Sequence, residues 1–307
     1  MQPSDKFKKL LIGSIIFLLG VISTVLIFFL KEKFNMYSSP LNFSQIRQNI
    51  ESRMHLNNSF RFSSQQSNQV QRRYTAPINI EEGTKVPIIQ SKAIQDKLKE
   101  LAMNKQDKLL SIEAMSRLIM IGDYPGIRKA LANELTVSTW QISLNAATGL
   151  AKAGDYSGFE TVKKVLKDGE WSAKIDAAKA MGLFGDKGRA VLAKEVDNPD
   201  RWIRLGAEAG LARLGDKRAA DALAEGLNNF DSAVQVYCAK SLAEIGDQRA
   251  RGYFEKLFAS NDPYIKAEGA KYLYLLGDKQ AKDYLINMLQ DIDPYWQNYA
   301  ILALTEK

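Results

Sequence analysis

Residues 205–216 read LGAEAGLARLGD, residues 237–247 read YCAKSLAEIGD and residues 268–278 read EGAKYLYLLGD. Each is an Ala- and Leu-rich run with apolar residues three to four positions apart, the spacing of one helix face, and each closes on Gly-Asp. The same ending recurs upstream in IEAMSRLIMIGD (112–123), LNAATGLAKAGD (144–155) and IDAAKAMGLFGD (175–186). Gly-Asp pairs at 122/123, 154/155, 185/186, 215/216, 246/247 and 277/278 are thus 32, 31, 30, 31 and 31 residues apart. Regularity of that kind makes each interval one structural unit.

Both residues of the pair have a physical role. Glycine accepts the left-handed conformation that ends a helix, and aspartate accepts the orphan N–H groups that begin the next. Gly215, Asp216, Gly246, Asp247, Gly277 and Asp278 are therefore read as corners. A second set lies halfway between them: Asp200, Asp231, Asp262 and Asp293 follow one another at intervals of 31, with Pro263 and Pro294 placed as first-turn residues. Ala219, Ala250 and Ala281 share the same period. The fold predicted for residues 91–307 is all-α, a right-handed α-solenoid of about seven helix pairs. It opens with helices at 91–104 and 108–121 and closes with helices at 279–289 and 294–306. At roughly 8 to 10 Å per layer, the seven-layer stack is expected to be an elongated, curved object roughly 60 to 70 Å long.

The helix ending in A-x-x-A-L-x-x-L-G-D and the unit of about 30 residues resemble the HEAT-like repeats of the phycobilin-lyase type, over residues 91–307. The resemblance implies a fold and not an activity, because such repeats serve scaffolds, adaptors, bilin lyases and a di-iron hydroxylase. An arginine that these repeats carry near the start of the second helix is matched by Arg204, approximated by Lys174 and Lys266, and replaced by Gln235 and Gln297. The paired His-Glu motifs of the hydroxylase relatives are missing from the sequence.

Ahead of the repeats the composition changes twice. After a short basic N-terminus (1–9), Leu10–Leu30 runs for 21 residues without a charge, long enough to cross a hydrocarbon core as a retained single-pass helix. It lacks the shorter apolar region and small-x-small ending of a cleaved signal. The positive N-terminus favours a cytoplasmic start with the solenoid on the periplasmic side. Residues 31–90 form a polar linker rich in Ser, Asn and Gln, expected to be largely disordered, with Arg47, Arg53, Arg61, Arg72 and Arg73 scattered through it. Of the net charge of +7, residues 1–90 hold 11 Lys/Arg against 5 Asp/Glu, so the repeats are near neutral. Nucleic acid is not an expected partner.

Catalysis finds little material. The single histidine, His55, lies in the linker, and Cys238 is the one cysteine, read as a small buried residue. No catalytic residue, metal ligand or cofactor is assigned. The candidates for recognition are aromatic: Trp140, Trp171 and Trp202 stand 31 apart, Tyr264 and Tyr295 continue the series past a gap at Ala233, and Trp296 adjoins. They serve either as a groove for a peptide or as wedges between units. Lys174, Arg204 and Lys266 are added as candidate contacts, although charges on the second helices ordinarily mark a solvated face. The functional expectation is a non-enzymatic, membrane-tethered scaffold that binds a protein along the concave helical face. Two alternatives stay open, a bilin-lyase-like ligand handler and an anionic-lipid-binding tether.

Overall fold

The structure, a computed structural model, describes residue 78 and residues 91–306 except 123 and 138. The candidate membrane segment and nearly all of the linker lie outside the described residues, and no described helix is long and apolar enough to cross a membrane.

Fourteen helices and no strand make up the described residues. They form seven pairs: α1 (Lys92–Ala102) and α2 (Lys108–Ile121), α3 (Pro125–Asn133) and α4 (Trp140–Lys152), α5 (Phe159–Asp168) and α6 (Trp171–Met181), α7 (Gly185–Leu192) and α8 (Arg201–Arg213), α9 (Lys217–Gly226) and α10 (Ser232–Glu244), α11 (Arg251–Phe258) and α12 (Pro263–Leu275), α13 (Lys279–Met288) and α14 (Pro294–Leu304). The even-numbered helix of each pair touches its even-numbered neighbours, whereas the odd-numbered ones pack mainly within and between adjacent pairs. The two sets divide the apolar residues accordingly. Outer helix α9 buries only Ala219 and Leu223, a single stripe, while inner helix α10 buries Val234, Val236, Tyr237, Cys238, Ala239, Ser241, Leu242 and Ala243 around most of its girth.

The corners follow from local chemistry. Gly154, Gly185, Gly215, Gly246 and Gly277 adopt positive φ, from 57° to 86°, where an L-residue is strained. Asp216 accepts from the backbone N–H groups of Arg218 and Ala219, and Asp278 from that of Ala281; Asp247 likewise receives Arg249 ahead of a short 3-10 turn. At the other corners Asp200, Asp231, Asp262 and Asp293 cap α8, α10, α12 and α14.

Two Gly-Asp pairs depart from this scheme. Gly122 is extended (φ −168°, ψ 170°), because the next helix starts later, at Pro125, and Tyr124 rather than the aspartate stands at its N-cap. Asp186 falls inside the first turn of α7, whose helix already begins at Gly185, so it caps nothing.

The larger correction concerns shape. Inner helix α14 of the last pair touches inner helix α2 of the first. Arg117 on α2 pairs with Glu306, just beyond α14, across 189 residues of sequence. The array is therefore a closed ring and not an open, elongated stack. Each unit turns a little relative to the one before, and seven such turns complete the circle. Seven inner helices at spacings of about 8 to 10 Å place their axes on a circle of roughly 10 Å radius, which leaves room for side chains and little else. Ile78 adds a tie: its N–H donates to Leu289 O at 3.0 Å, and its carbonyl accepts from Gln290 Nε2 at 2.9 Å.

Candidate functional site

All seven inner helices run the same way, so the ring has two unlike rims. The start rim carries the connectors that enter the inner helices, and the end rim carries the Gly-Asp corners where they leave.

Toward the end rim, charged side chains of the inner helices and of the residues after α14 meet across the lumen. Glu306 accepts from Lys152 on α4 at 2.9 Å and lies 3.7 Å from Lys271 on α12, besides its pairing with Arg117. Glu244 on α10 accepts from Lys179 on α6 and Arg213 on α8, both at 2.7 Å. Glu268 on α12 pairs with Lys240 and accepts from Tyr299 Oη at 3.0 Å. Burial by itself would raise these carboxyls. The surrounding cations overcome it, holding Glu306 well below the usual glutamate value and lowering Glu244 and Glu268. The same burial, outweighed by Glu306 and other carboxylates, leaves the Lys271 and Arg117 values raised.

A cavity of about 230 Å³ lies within this network. Arg117, Lys152 and Lys271 on its wall are matched by Glu113, Glu244 and Glu306, so the lining carries no net charge to select an ion. The network closes the ring and blocks the concave face on which partner binding was expected. None of its residues stands among the sequence candidates, because charges on alternate helices read as solvated positions until the ends of the array are known to meet.

The start rim is different in character. Trp140 and Trp171 occupy the first positions of α4 and α6, and Trp202, Tyr264 and Tyr295 the second positions of α8, α12 and α14. They divide into patches instead of forming one stripe. Trp171 stands edge-on to Trp202 at 6.3 Å, and Trp202 edge-on to Tyr237 at 6.1 Å. Tyr264 lies 5.6 Å from Tyr295 and 4.9 Å from Trp296, which also contacts Tyr299. Ala233 separates the two groups, and Trp140 packs against the core instead of joining either.

The aromatics differ in exposure. Trp202, Tyr295 and Trp296 are half-buried wedges between units, while Trp171 is 53% and Tyr264 39% exposed. Trp171 also donates from Nε1 to Asp200 Oδ2 at 2.6 Å, linking one corner to the next.

Seven large hydrophobic residues are exposed among the described ones: Met103, Val137, Tyr156, Trp171, Phe230, Tyr264 and Ile292. All but Tyr156 lie on the start rim. Its seven connectors (103–107, 134–139, 169–170, 193–200, 227–231, 259–262 and 289–293) hold ten carboxylates and two lysines, and two of those carboxylates, Glu134 and Asp231, pair with Lys108 and Arg201 at the first positions of α2 and α8. This rim is at once acidic and apolar.

Of the charged candidates, Arg204 serves a corner. Arg204 donates from Nη1 to the carbonyls of Asn198 and Pro199, while Gln235 and Gln297 donate to the carbonyls of Asn229 and Asp291. Glutamine thus does the arginine's work at this position, through a hydrogen bond that needs no charge. Lys266 spreads over the rings of Phe258 and Tyr284 at 5.5 and 5.4 Å, and Lys174 lies half-buried on α6.

A supporting set went unread in the sequence. Asn198, Asn229, Ser260 and Asp291 each accept, through a side-chain oxygen, the N–H of the capping aspartate two residues on. Their 31-residue spacing was the available signal.

Among the described residues no group of three or more His, Cys, Asp or Glu is arranged to hold a metal ion. Cys238 is buried, and that burial, with Glu208 nearby, pushes its thiol up to about 12. It is a packing residue and not a nucleophile. A family model described as HEAT repeats matches residues 159–232 and 220–305, the stretch that holds α5 through α14. No curated protein matches the chain.

Proposed function

We propose that the protein is a non-enzymatic scaffold, tethered to a membrane through Leu10–Leu30, which binds a protein partner on the start rim of its ring. The supporting observation is the gathering of six of the seven exposed large hydrophobics on that one rim. Exposed apolar side chains cost solubility and concentrate where a partner covers them. HEAT repeats commonly mediate protein–protein contact, which fits the same reading. The proposed topology has a cytoplasmic N-terminus and a periplasmic ring, on the ground of the basic residues ahead of the apolar segment. The finer likeness to phycobilin-lyase-type repeats rests on the Gly-Asp helix endings and the repeat length.

A photo-reactive side chain at position 230 tests the reading against one at position 156 on the opposite rim. In native membranes the first is expected to give a discrete heterologous adduct that Trp171→Ala with Tyr264→Ala abolishes. Adducts at 156 and none at 230 would move the surface to the other rim.

A further inference from the structure

One described residue from ahead of the repeats, Ile78, reaches the start rim. Ile78 is seated on it, bonded on both sides to Leu289 and Gln290 at the connector into α14. That connector carries Asp291, Asp293 and the exposed Ile292, and it leads into Tyr295 and Trp296, which pack against Tyr264. Ile78 itself therefore stands beside the acidic, aromatic part of the rim. Residues 60–74 read FRFSSQQSNQVQRRY: three arginines, three aromatics and no acid.

We propose that the start rim is a docking surface for residues 60–74 of the same chain, with Arg61, Arg72 and Arg73 answering the rim carboxylates and Phe60, Phe62 and Tyr74 answering its exposed apolar side chains. Three considerations favour this occupant. The first is charge: ten carboxylates against two lysines on the connectors oppose an anionic surface and attract a cationic segment. The second is reach, since Tyr74 is four residues from the seated Ile78, at most about 14 Å, and Arg61, at most roughly 60 Å away along the chain, spans the inner ring. The third is concentration: a segment attached a few residues away meets the rim at an effective concentration on the order of millimolar, which a free partner must exceed. Arginine over an exposed Trp or Tyr face adds cation–π attraction.

The proposal goes beyond the partner reading and does not need it. The experiment uses the full chain in detergent micelles, with Val70→Cys paired either with Ile292→Cys on the start rim or with Tyr156→Cys on the end rim, and a short bismaleimide as probe. Cys238 stays in place, since its buried thiol does not compete. The expected result is an intramolecular 70–292 crosslink at least about tenfold above the 70–156 yield. That excess should fall as salt is raised from 0.05 to 0.5 M and vanish when Arg61, Arg72 and Arg73 are changed to Glu. Equal yields at 292 and 156, or an excess untouched by the three Arg→Glu changes, would overturn the proposal. So would a 70–292 product formed only when Val70→Cys chains are mixed with Ile292→Cys chains, which would assign the rim to a second copy. Because the crosslinks read only this chain, failure here leaves adducts at position 230 free to establish a heterologous partner.

Discussion

At the scale of the single residue, the corners carry the clearest consequences. Gly246 sits at φ +78° with open space where a Cβ would stand, so a side chain there meets conformational strain and no clash. Gly246→Val should lower stability by about 1 to 2 kcal/mol in urea titration, through the backbone alone. Asp262 Oδ1 accepts from two first-turn amides of α12, those of Tyr264 and Ile265. Its replacement by Ala should cost about 1 kcal/mol in the same titration. A third expectation concerns Cys238. With a thiol pushed up to about 12 and packed inside α10, it should stay silent to a thiol reagent at pH 8 until denaturant opens the ring.

Among elements, close approach between inner helices depends on glycine. A Cβ at Gly182 would collide with Gly210 O, so the end of α6 and the body of α8 meet backbone to backbone. Gly182→Ala should therefore destabilise by about 1 to 3 kcal/mol, because backbone has no rotamer with which to yield. A calorimetric melt would read this as a lowered midpoint. Helix placement was legible in the sequence for the same local reasons: caps and stops act within a few residues, and period 31 repeats them. Gly122 and Asp186 departed where Pro125 delayed the following helix and Gly185 started one early. Arg204, Gln235 and Gln297 differ in charge yet share a role, which residue type alone concealed.

On the scale of the whole molecule, closure was illegible because no repeat signals it. Curvature accumulates from small rotations between neighbours, and those depend on how Ala and Gly side chains let inner helices approach, a quantity the period does not record. The ionic lumen tests the closure. Glu306, Glu244 and Glu268 all titrate below the unfolded glutamate value near 4.5, so they bind protons less readily in the native ring than in the unfolded chain. Their contribution is complete above that value and is lost as pH falls through the native ones. Thermal melts between pH 7 and 3 should show stability declining below about pH 4.5, with a shallower decline in Glu306→Gln. At neutral pH that variant should also lose about 3 to 5 kcal/mol, since Arg117, only 4% exposed, would remain buried without its main partner.

A circle, unlike a line, admits only certain numbers of segments. An open stack tolerates a missing module, because each module answers only to those beside it. Here excision of residues 217–247, one full turn-to-turn module, would leave six modules to span an arc shaped for seven. Arg117 and Glu306 would then miss each other. The number of modules is thereby fixed by closure, a demand that no single repeat makes.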